Sequence, residues 1–399
     1  MNKALLREDV QTFITQHLNT RATDIVLKGS PFPDITVQEL VQQIVSRKKA
    51  EKKLPTWFAN PHIYYPEKVS IEQTSSEKTA LYKSRIPSGA QTLIDITGGL
   101  GIDAFYFSKT VKYITHCEVN QELSKMAAYN FEQLNAQNIQ CIPGDGLAYL
   151  KKSKRTFDWI YADPSRRGSQ NERIFLLGDC IPDIPRNLKF LFECAHRILI
   201  KTSPLLDIQA GINELENVSA IHVVAVQNEV KELIWVLKKN EQGTPEIHTV
   251  NLKANESQVF SFSLPEEKDS KAVFGSVEKY IYEPNAAILK AGAFKYVGHI
   301  YQVKKLHPDS HYYTSAVLKA FPGRVFEVTD VLPFRKKELK KRLHKKKVNL
   351  AARNFPLSVP QLKKEFKTED GGTDYVFFTT GLQNVKIAVF AKKLKMTVG

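Results

Sequence analysis

Acids and glycines recur along this chain at intervals that suit a small-molecule site. In "LIDITGGLGIDAFYF" (93–107), Asp95, Thr97, Gly98, Gly99, Gly101 and Asp103 run from the end of a short apolar stretch into the start of a helical one. "GLGIDA" fits the pattern G-x-G-x-x-[GA], and Glu118 comes nineteen residues after Gly99. Glycines there let a ligand approach the backbone, and a carboxylate at that interval can bind ribose hydroxyls. Alone, the pattern serves a dinucleotide, a nucleoside carrying a methionine, or a bare strand-to-helix turn.

Features downstream separate these readings. Asp95 stands just before the glycine pair, where a carboxylate repels a pyrophosphate but pairs with an ammonium group. "GDG" (144–146) follows a later apolar run and puts Asp145 where it can accept from an adenine amino group; "PGDG" is also a good turn. "ADPSRRG" (162–168) makes an Asp163-Pro164 corner, continued by Ser165, Arg166 and Arg167. The two guanidiniums suit a phosphate or the O6/N7 edge of guanine, and equally a local ion pair to Asp163. Asp103 at a helix start either contacts the ligand or satisfies free N–H groups. Gln73, Ser75 and Ser76, in "EQTSSEKTA", either fold over the ligand or cap a helix.

The elements that must hold these residues are legible from periodicity. Strands are expected at 92–96, 113–119, 139–143, 157–163, 196–201, 221–227 and 233–239, with helix-length segments between the first four. Alternating helices and continuous apolar strands mean a parallel sheet covered on both faces, with the acids at its carboxyl edge. The last two strands, joined by "NEVKE", read as a hairpin at one edge, with Asn228, Glu229 and Glu232 at its polar tip. Before the sheet, "KALLREDVQTFITQHL" and "TVQELVQQIVSRKKAEKKL" carry apolar residues at helical spacing, and Pro55 ends the second. Trp57 and Phe58 follow it, as a hydrophobic plug or a stacking platform for a base.

With 399 residues, the chain needs more than one core. Its 42% hydrophobic and 25% charged composition excludes disordered and collagen-like classes. No apolar run reaches the roughly 20 residues of a membrane span, and with charges where an apolar signal core would stand in "MNKALLREDV", no secretory signal is expected. Cys117, Cys141, Cys180 and Cys194 lack metal-ligand spacing, so reduced thiols in a cytoplasmic protein and no metal site are expected. The net charge of +15 is concentrated: "RKKELKKRLHKKK" (335–347) holds nine Lys/Arg against one Glu. Such a block fits a polyanion, nucleic acid before membrane, or a solvated helix end.

Together these motifs resemble the class I S-adenosylmethionine-dependent methyltransferases. "DITGGLGID" matches the family's first motif, Glu118 its ribose-binding acid, Asp145 its adenine contact and "DPSRR" its fourth motif. The chain is most similar to bacterial members that end in a THUMP-like domain, through "EQTSSEKTA", "LIKTSPLLD", "QNEVKEL", "YEPNAAILKAGAF" and "RNFPLSV". The resemblance implies an α/β fold: a Rossmann-like methyltransferase sheet of seven mostly parallel strands, with N-terminal helices and small C-terminal α+β domains. Its expected divisions are 1–70 (helical), 71–265 (methyltransferase), 266–320 (ferredoxin-like) and 321–399 (THUMP-like). The cofactor implied is S-adenosylmethionine, held by Asp95, Thr97, Gly98, Gly99, Gly101, Asp103, Glu118, Asp145, Gln73 and Ser76. The substrate implied is structured RNA, tRNA or rRNA.

Methyl transfer is an in-line displacement, so the catalytic residues position a nucleophile and take its proton. Asp163, Pro164, Ser165, Arg166 and Arg167 are the expected catalytic group. Lys201, at a strand end on the same edge, and Arg335, Lys336, Lys340, Lys341, Arg342 and Arg353 are the expected RNA contacts. Ser165 and Arg166 replace the Pro-aromatic pair that stacks on a base in exocyclic-amine methylation. "KTSP" (201–204) lacks the cysteine that C5 methylation requires. A ring nitrogen or sugar oxygen is left as the expected acceptor. The same fold also admits a nicotinamide-dependent oxidoreductase, a non-catalytic RNA-binding scaffold, or a methyltransferase for protein or metabolite.

Overall fold

The computed structural model describes residues 1–66, 68–166, 176–254 and 256–394. They form two units, one of Met1–Ser219 with Leu233–Gly243, the other of Ala220–Glu232 with Thr244–Gly399.

In the first unit the leading helical run is split. Arg7 takes an extended backbone (φ −62°, ψ 147°) between a 3-10 turn at Lys3–Leu6 and a helix at Glu8–Gln16. The second run is a helix over Val37–Lys53, started by a capping box between Thr36 and Glu39. Pro55 does more than end it, opening a further helix at Pro55–Ala59 from a first-turn position where its missing N–H costs nothing. Leu5, Val10, Ile14, Ile25, Leu40 and Ile44 bury the inner faces in one cluster. Burying each such side chain contributes about 1.5–3 kcal/mol.

The sheet follows. Its strands are β1 (Thr92–Asp95), β2 (Tyr113–Glu118), β3 (Ile139–Pro143), β4 (Phe157–Ala162) and β5 (Ala195–Thr202); of the next two, β6 (Val218–Val226) and β7 (Glu229–Lys238), this unit holds Val218 and Ser219 and the stretch from Leu233 onward. β1 pairs in parallel with β2 on one side and β4 on the other, β2 with β3, and β4 with β5. β7 runs antiparallel to β5. The chain therefore leaves β1 in one direction and returns to its other side at β4. That reversal opens a crevice at the carboxyl ends of β1 and β4, the place where open α/β sheets bind ligands.

The expected edge hairpin is corrected in one respect. β7 is not an edge, since β5 flanks one side and Ser219, at the start of β6, donates to the Val236 carbonyl at 3.0 Å on the other. In the second unit β6 pairs in parallel with Glu246–Leu252, which pairs antiparallel with Ser257–Ser263. These two strands escaped the pattern reading because Thr249 and Asn251 interrupt the apolar run, yet both are buried. Thr249 Oγ1 donates to the Phe260 carbonyl at 2.9 Å, so its burial leaves no polar atom stranded.

The second unit also holds a sheet whose strands lie in the order Lys304–Lys305, Tyr313–Ser315, Tyr280–Pro284, Gly323–Pro333, Lys386–Lys393, Asp374–Thr380, Asn349–Ala352. The basic block forms a helix over Lys336–Leu343. Leu339 and Leu343 anchor it on a core with Leu362, Phe366, Val376 and Phe378. Its lysines face solvent.

Candidate active site

The glycine turn between β1 and the helix Ile102–Phe107 is shaped by what lies beneath it. A Cβ on Gly98 would stand 2.4 Å from His116 Nε2 and 2.8 Å from the Cys117 carbonyl. Gly101 has φ +85°, and a Cβ there would meet Phe131 Cζ at 2.2 Å. Glycine at both positions lets β2 and the helix Gln121–Gln133 press against the turn. Glu118, ending β2, accepts from Gly99 N and Asn120 N, each at 2.7 Å. A carboxylate has about four acceptor sites, so it holds the turn and keeps capacity for hydroxyls.

Three buried or half-buried acids meet at this crevice. Asp95 is 1% exposed, and its Oδ1 accepts from Thr97 N at 2.9 Å and Thr97 Oγ1 at 3.3 Å. Burial above all, with Asp103 and Asp163 adding to it and the Thr97 N–H opposing, pushes the Asp95 carboxyl up to about 8. Asp103 Oδ2 accepts from Ser75 Oγ at 2.8 Å and Tyr161 OH at 2.7 Å, and Oδ1 lies 3.2 Å from Lys83 Nζ. Burial raises Asp103, but Lys83, then Lys201, Tyr161 and Ser75 outweigh it and hold the carboxyl below its ordinary range. Asp163 is ion-paired to Lys201, while its backbone N donates to Thr97 Oγ1 at 2.7 Å. Thr97 thus ties the end of β1 to the Asp-Pro corner after β4.

A cleft of about 840 Å³ gathers Gln73, Asp95, Thr97, Gly98, Gly99, Gly101, Asp103, Asp163, Pro164, Ser165 and Lys201 of the expected residues. Glu118, Asp145 and Ser76 are not in its lining. Asp145 caps the helix Gly146–Ser153 through Ala148 N at 2.7 Å, and Ser76 caps Glu77–Ser84 through Thr79 N at 3.3 Å. The Arg166 side chain and all of Arg167 lie outside the described residues. Trp57 is fully buried against Phe105, a plug rather than a stacking platform. Asn228 sits at the tight turn after β6 and accepts from Ala286 N at 2.8 Å, a structural use, and Glu232 is buried.

Among the expected RNA contacts of the second unit, Arg335, Lys336, Lys340 and Lys341 are exposed. Lys336 has a loose partner in Glu365 at 3.5 Å. Arg342 and Arg353 differ. Arg342 pairs with Asp330 and lies over the Phe390 ring at 3.9 Å, and Arg353 donates to Glu283 Oε1 at 2.8 Å. Glu283 also holds Arg324, so "YEPN" and "RNF" meet in one ion-pair cluster.

Sequence reasoning missed Lys83 and Tyr161. Lys83 is fully buried, with Nζ 2.9 Å from Ser75 Oγ. Its one available signal was its place on the same helix face as the buried Thr79 and Ala80. Tyr161 sits next to Asp95 in the β1–β4 register, which no local pattern reveals.

The chain has relatives on both its sequence and its fold. A family profile described as "THUMP domain-like" matches residues 323–393, and one described as "ferredoxin-like domain" matches 280–322. The crystal structure of a Porphyromonas gingivalis W83 protein, provisionally named a methyltransferase, superposes with a TM-score of 0.89 at 32% identity, covering 98% of this chain and 99% of that one. An uncharacterized RNA methyltransferase of Mycoplasma mobile is 30% identical over 87 residues, 22% of this chain and 24% of the relative's length. The full-length match to the first, with a glycine turn and an Asp-Pro corner in one cleft, decides the matter: this chain belongs to the S-adenosylmethionine-dependent methyltransferases that end in a ferredoxin-like and a THUMP-like domain.

Proposed function

We propose that the protein methylates structured RNA, tRNA or rRNA, at a ring nitrogen or sugar oxygen, by direct transfer from S-adenosylmethionine. The observation that carries this is the joining of the glycine turn, Asp95 and the Asp163-Pro164-Lys201 corner in a single cleft. The residues fit the cofactor. Asp95 offers a buried carboxyl to an ammonium, the Gly98–Gly99 backbone is open to approach, and Glu118 beside Gly99 retains acceptor capacity for ribose hydroxyls. Asp95 can balance an ammonium by ionising but has no positive charge to give a pyrophosphate, and Lys83 is engaged by Asp103, which disfavours a nicotinamide cofactor.

When bound, the cofactor supplies a methyl group on a positively charged sulfur. Asp163 takes the proton of the attacking imino or hydroxyl group, and Lys201, paired with that carboxylate, orients it. None of the described residues lining the cleft is a cysteine, which supports direct attack over a covalent base adduct. For the substrate, support comes from the exposed lysines of Lys336–Leu343, the THUMP-like match and the name of the Mycoplasma relative. Lysines of this kind contact phosphates and add affinity without sequence information.

Nucleoside mass spectrometry of tRNA and rRNA from cells with and without the gene tests this directly. One methylated nucleoside missing from the deletion strain is the expected result, and identical profiles would overturn the RNA assignment. Titration with S-adenosylhomocysteine and with NADH tests the cofactor: binding of the first and not the second is expected.

A further inference from the structure

Among the described residues at the cleft, acids outnumber bases, and the excess falls on one residue. Lys83 is engaged by Asp103, and Lys201 by Asp163. Among the described residues no cation is paired with Asp95, the most deeply buried of the three acids. The described residues packed around it offer it no positive charge. On β2, His116 stands opposite Asp95 in register, but burial drives its proton affinity down to about 4, so the ring is neutral. Next to it the Cys117 thiol is pushed up to about 12, chiefly by burial and then by Asp95 itself. On β4, Tyr161 is opposite Asp95 and donates its hydroxyl to Asp103 instead. Asp103, from the helix after the turn, and Asp163, beyond β4, both oppose a negative charge on Asp95.

We propose that Asp95 determines specificity for the cationic amino-acid end of the ligand by staying a neutral carboxylic acid until that end arrives, so that binding releases a proton. The proposal rests on the reading that this cleft holds S-adenosylmethionine. On binding, the Asp95 O–H bond breaks, its proton goes to solvent, and the carboxylate left behind pairs with an ammonium that is already charged. An isolated ionised carboxyl in such a site is costly, and the ligand's own charge removes that cost. A ligand without an ammonium cannot do so and gains nothing from Asp95. The ligand-free cleft is thereby kept free of an unpaired buried charge.

Calorimetry of S-adenosylhomocysteine binding in phosphate and in Tris measures the proton directly, because the two buffers differ in ionisation enthalpy. With a carboxyl near 8 in the free protein, about 0.9 proton is released per ligand at pH 7, and affinity rises close to tenfold per pH unit below that. Methylthioadenosine, which lacks the amino-acid end, should release none. Asp95→Asn, shaped like the neutral acid, should weaken S-adenosylhomocysteine at least about tenfold at pH 8 and abolish both the proton release and the pH slope. Carbon-13 NMR of the Asp95 carboxyl in the ligand-free wild type should titrate well above the ordinary carboxylate range, a readout that holds even if the variant does not fold. Binding without proton release, or release that persists in Asp95→Asn, would overturn the proposal and leave the cofactor reading intact. No binding of S-adenosylhomocysteine at all would overturn both.

Discussion

At the scale of single residues, the site is a balance of charges, and each can be removed separately. Asp163→Ala should lower kcat by about 10²–10⁴ while S-adenosylhomocysteine affinity moves little, because Asp163 serves the substrate's proton. Steady-state kinetics beside calorimetry would separate the two. Lys83→Met strands Asp103 without its counter-charge, and breaking a buried pair from one side costs about 3–5 kcal/mol; urea unfolding measures it. Asp95 has the opposite sign. Its folded carboxyl holds a proton more tightly than an unfolded one, so the stability it contributes is full below the ordinary carboxyl range and is lost as pH rises toward 8. Asp95→Asn removes that loss. Thermal melts of the ligand-free protein should find the variant more stable than wild type at pH 8, by about 1 kcal/mol or more, with the difference shrinking steadily as pH falls toward the ordinary carboxyl range. Asp95 and Asp163 were readable in the sequence because their chemistry sits inside contiguous motifs. Lys83 and Tyr161 were not, because their meaning comes from Asp103, to which the fold alone brings them.

Among the elements, those with a single strong period were legible and those whose burial depends on hydrogen bonds were not. β1 through β5 are short apolar runs, and periodicity alone finds them. Glu246–Leu252 buries a threonine and an asparagine, whose cost is met by partners on Ser257–Ser263, and nothing local announces that. The same logic separates the motif acids. Glu118 ends β2 and Asp145 follows β3 as expected, yet each accepts hydrogen bonds from the backbone, Glu118 fastening the glycine turn and Asp145 a helix start. The turn is therefore a packed junction as much as a ligand cradle. Gly101→Ala would force a methyl group into the Phe131 ring at a backbone angle that L-residues resist. The expected outcome is a loss of about 1–3 kcal/mol of stability together with weaker S-adenosylhomocysteine binding. Gly99→Ala is the contrast: its Cβ would meet nothing within 4 Å, so at φ +59° it should carry the backbone strain alone.

On the scale of the whole molecule, the charge is partitioned by role. Arg342 and Arg353 were expected as RNA contacts, but their ion pairs with Asp330 and Glu283 give them structural work. Arg353, just after the strand Asn349–Ala352 of the THUMP-like match, reaches Glu283 on a strand of the ferredoxin-like match, which accounts for "YEPN" and "RNF" without invoking RNA. Among the described residues, the exposed lysines at 336, 337, 340 and 341 have no comparable partner beyond the loose Lys336–Glu365 pair. The two groups should therefore behave differently. Changing Lys337, Lys340 and Lys341 together to Gln should leave the melting temperature within about a degree or two, since surface charges contribute little to stability. It should weaken RNA binding and flatten its salt dependence by about 0.7–0.9 in log–log slope for each phosphate no longer neutralised. Arg353→Gln should do the reverse, lowering stability because the buried Glu283 keeps Arg324 alone as its cationic partner among the described residues, with the salt slope hardly altered. If the lysine variant keeps the wild-type slope, this helix is not where the phosphates bind, and the polyanion surface must be sought among the remaining basic residues.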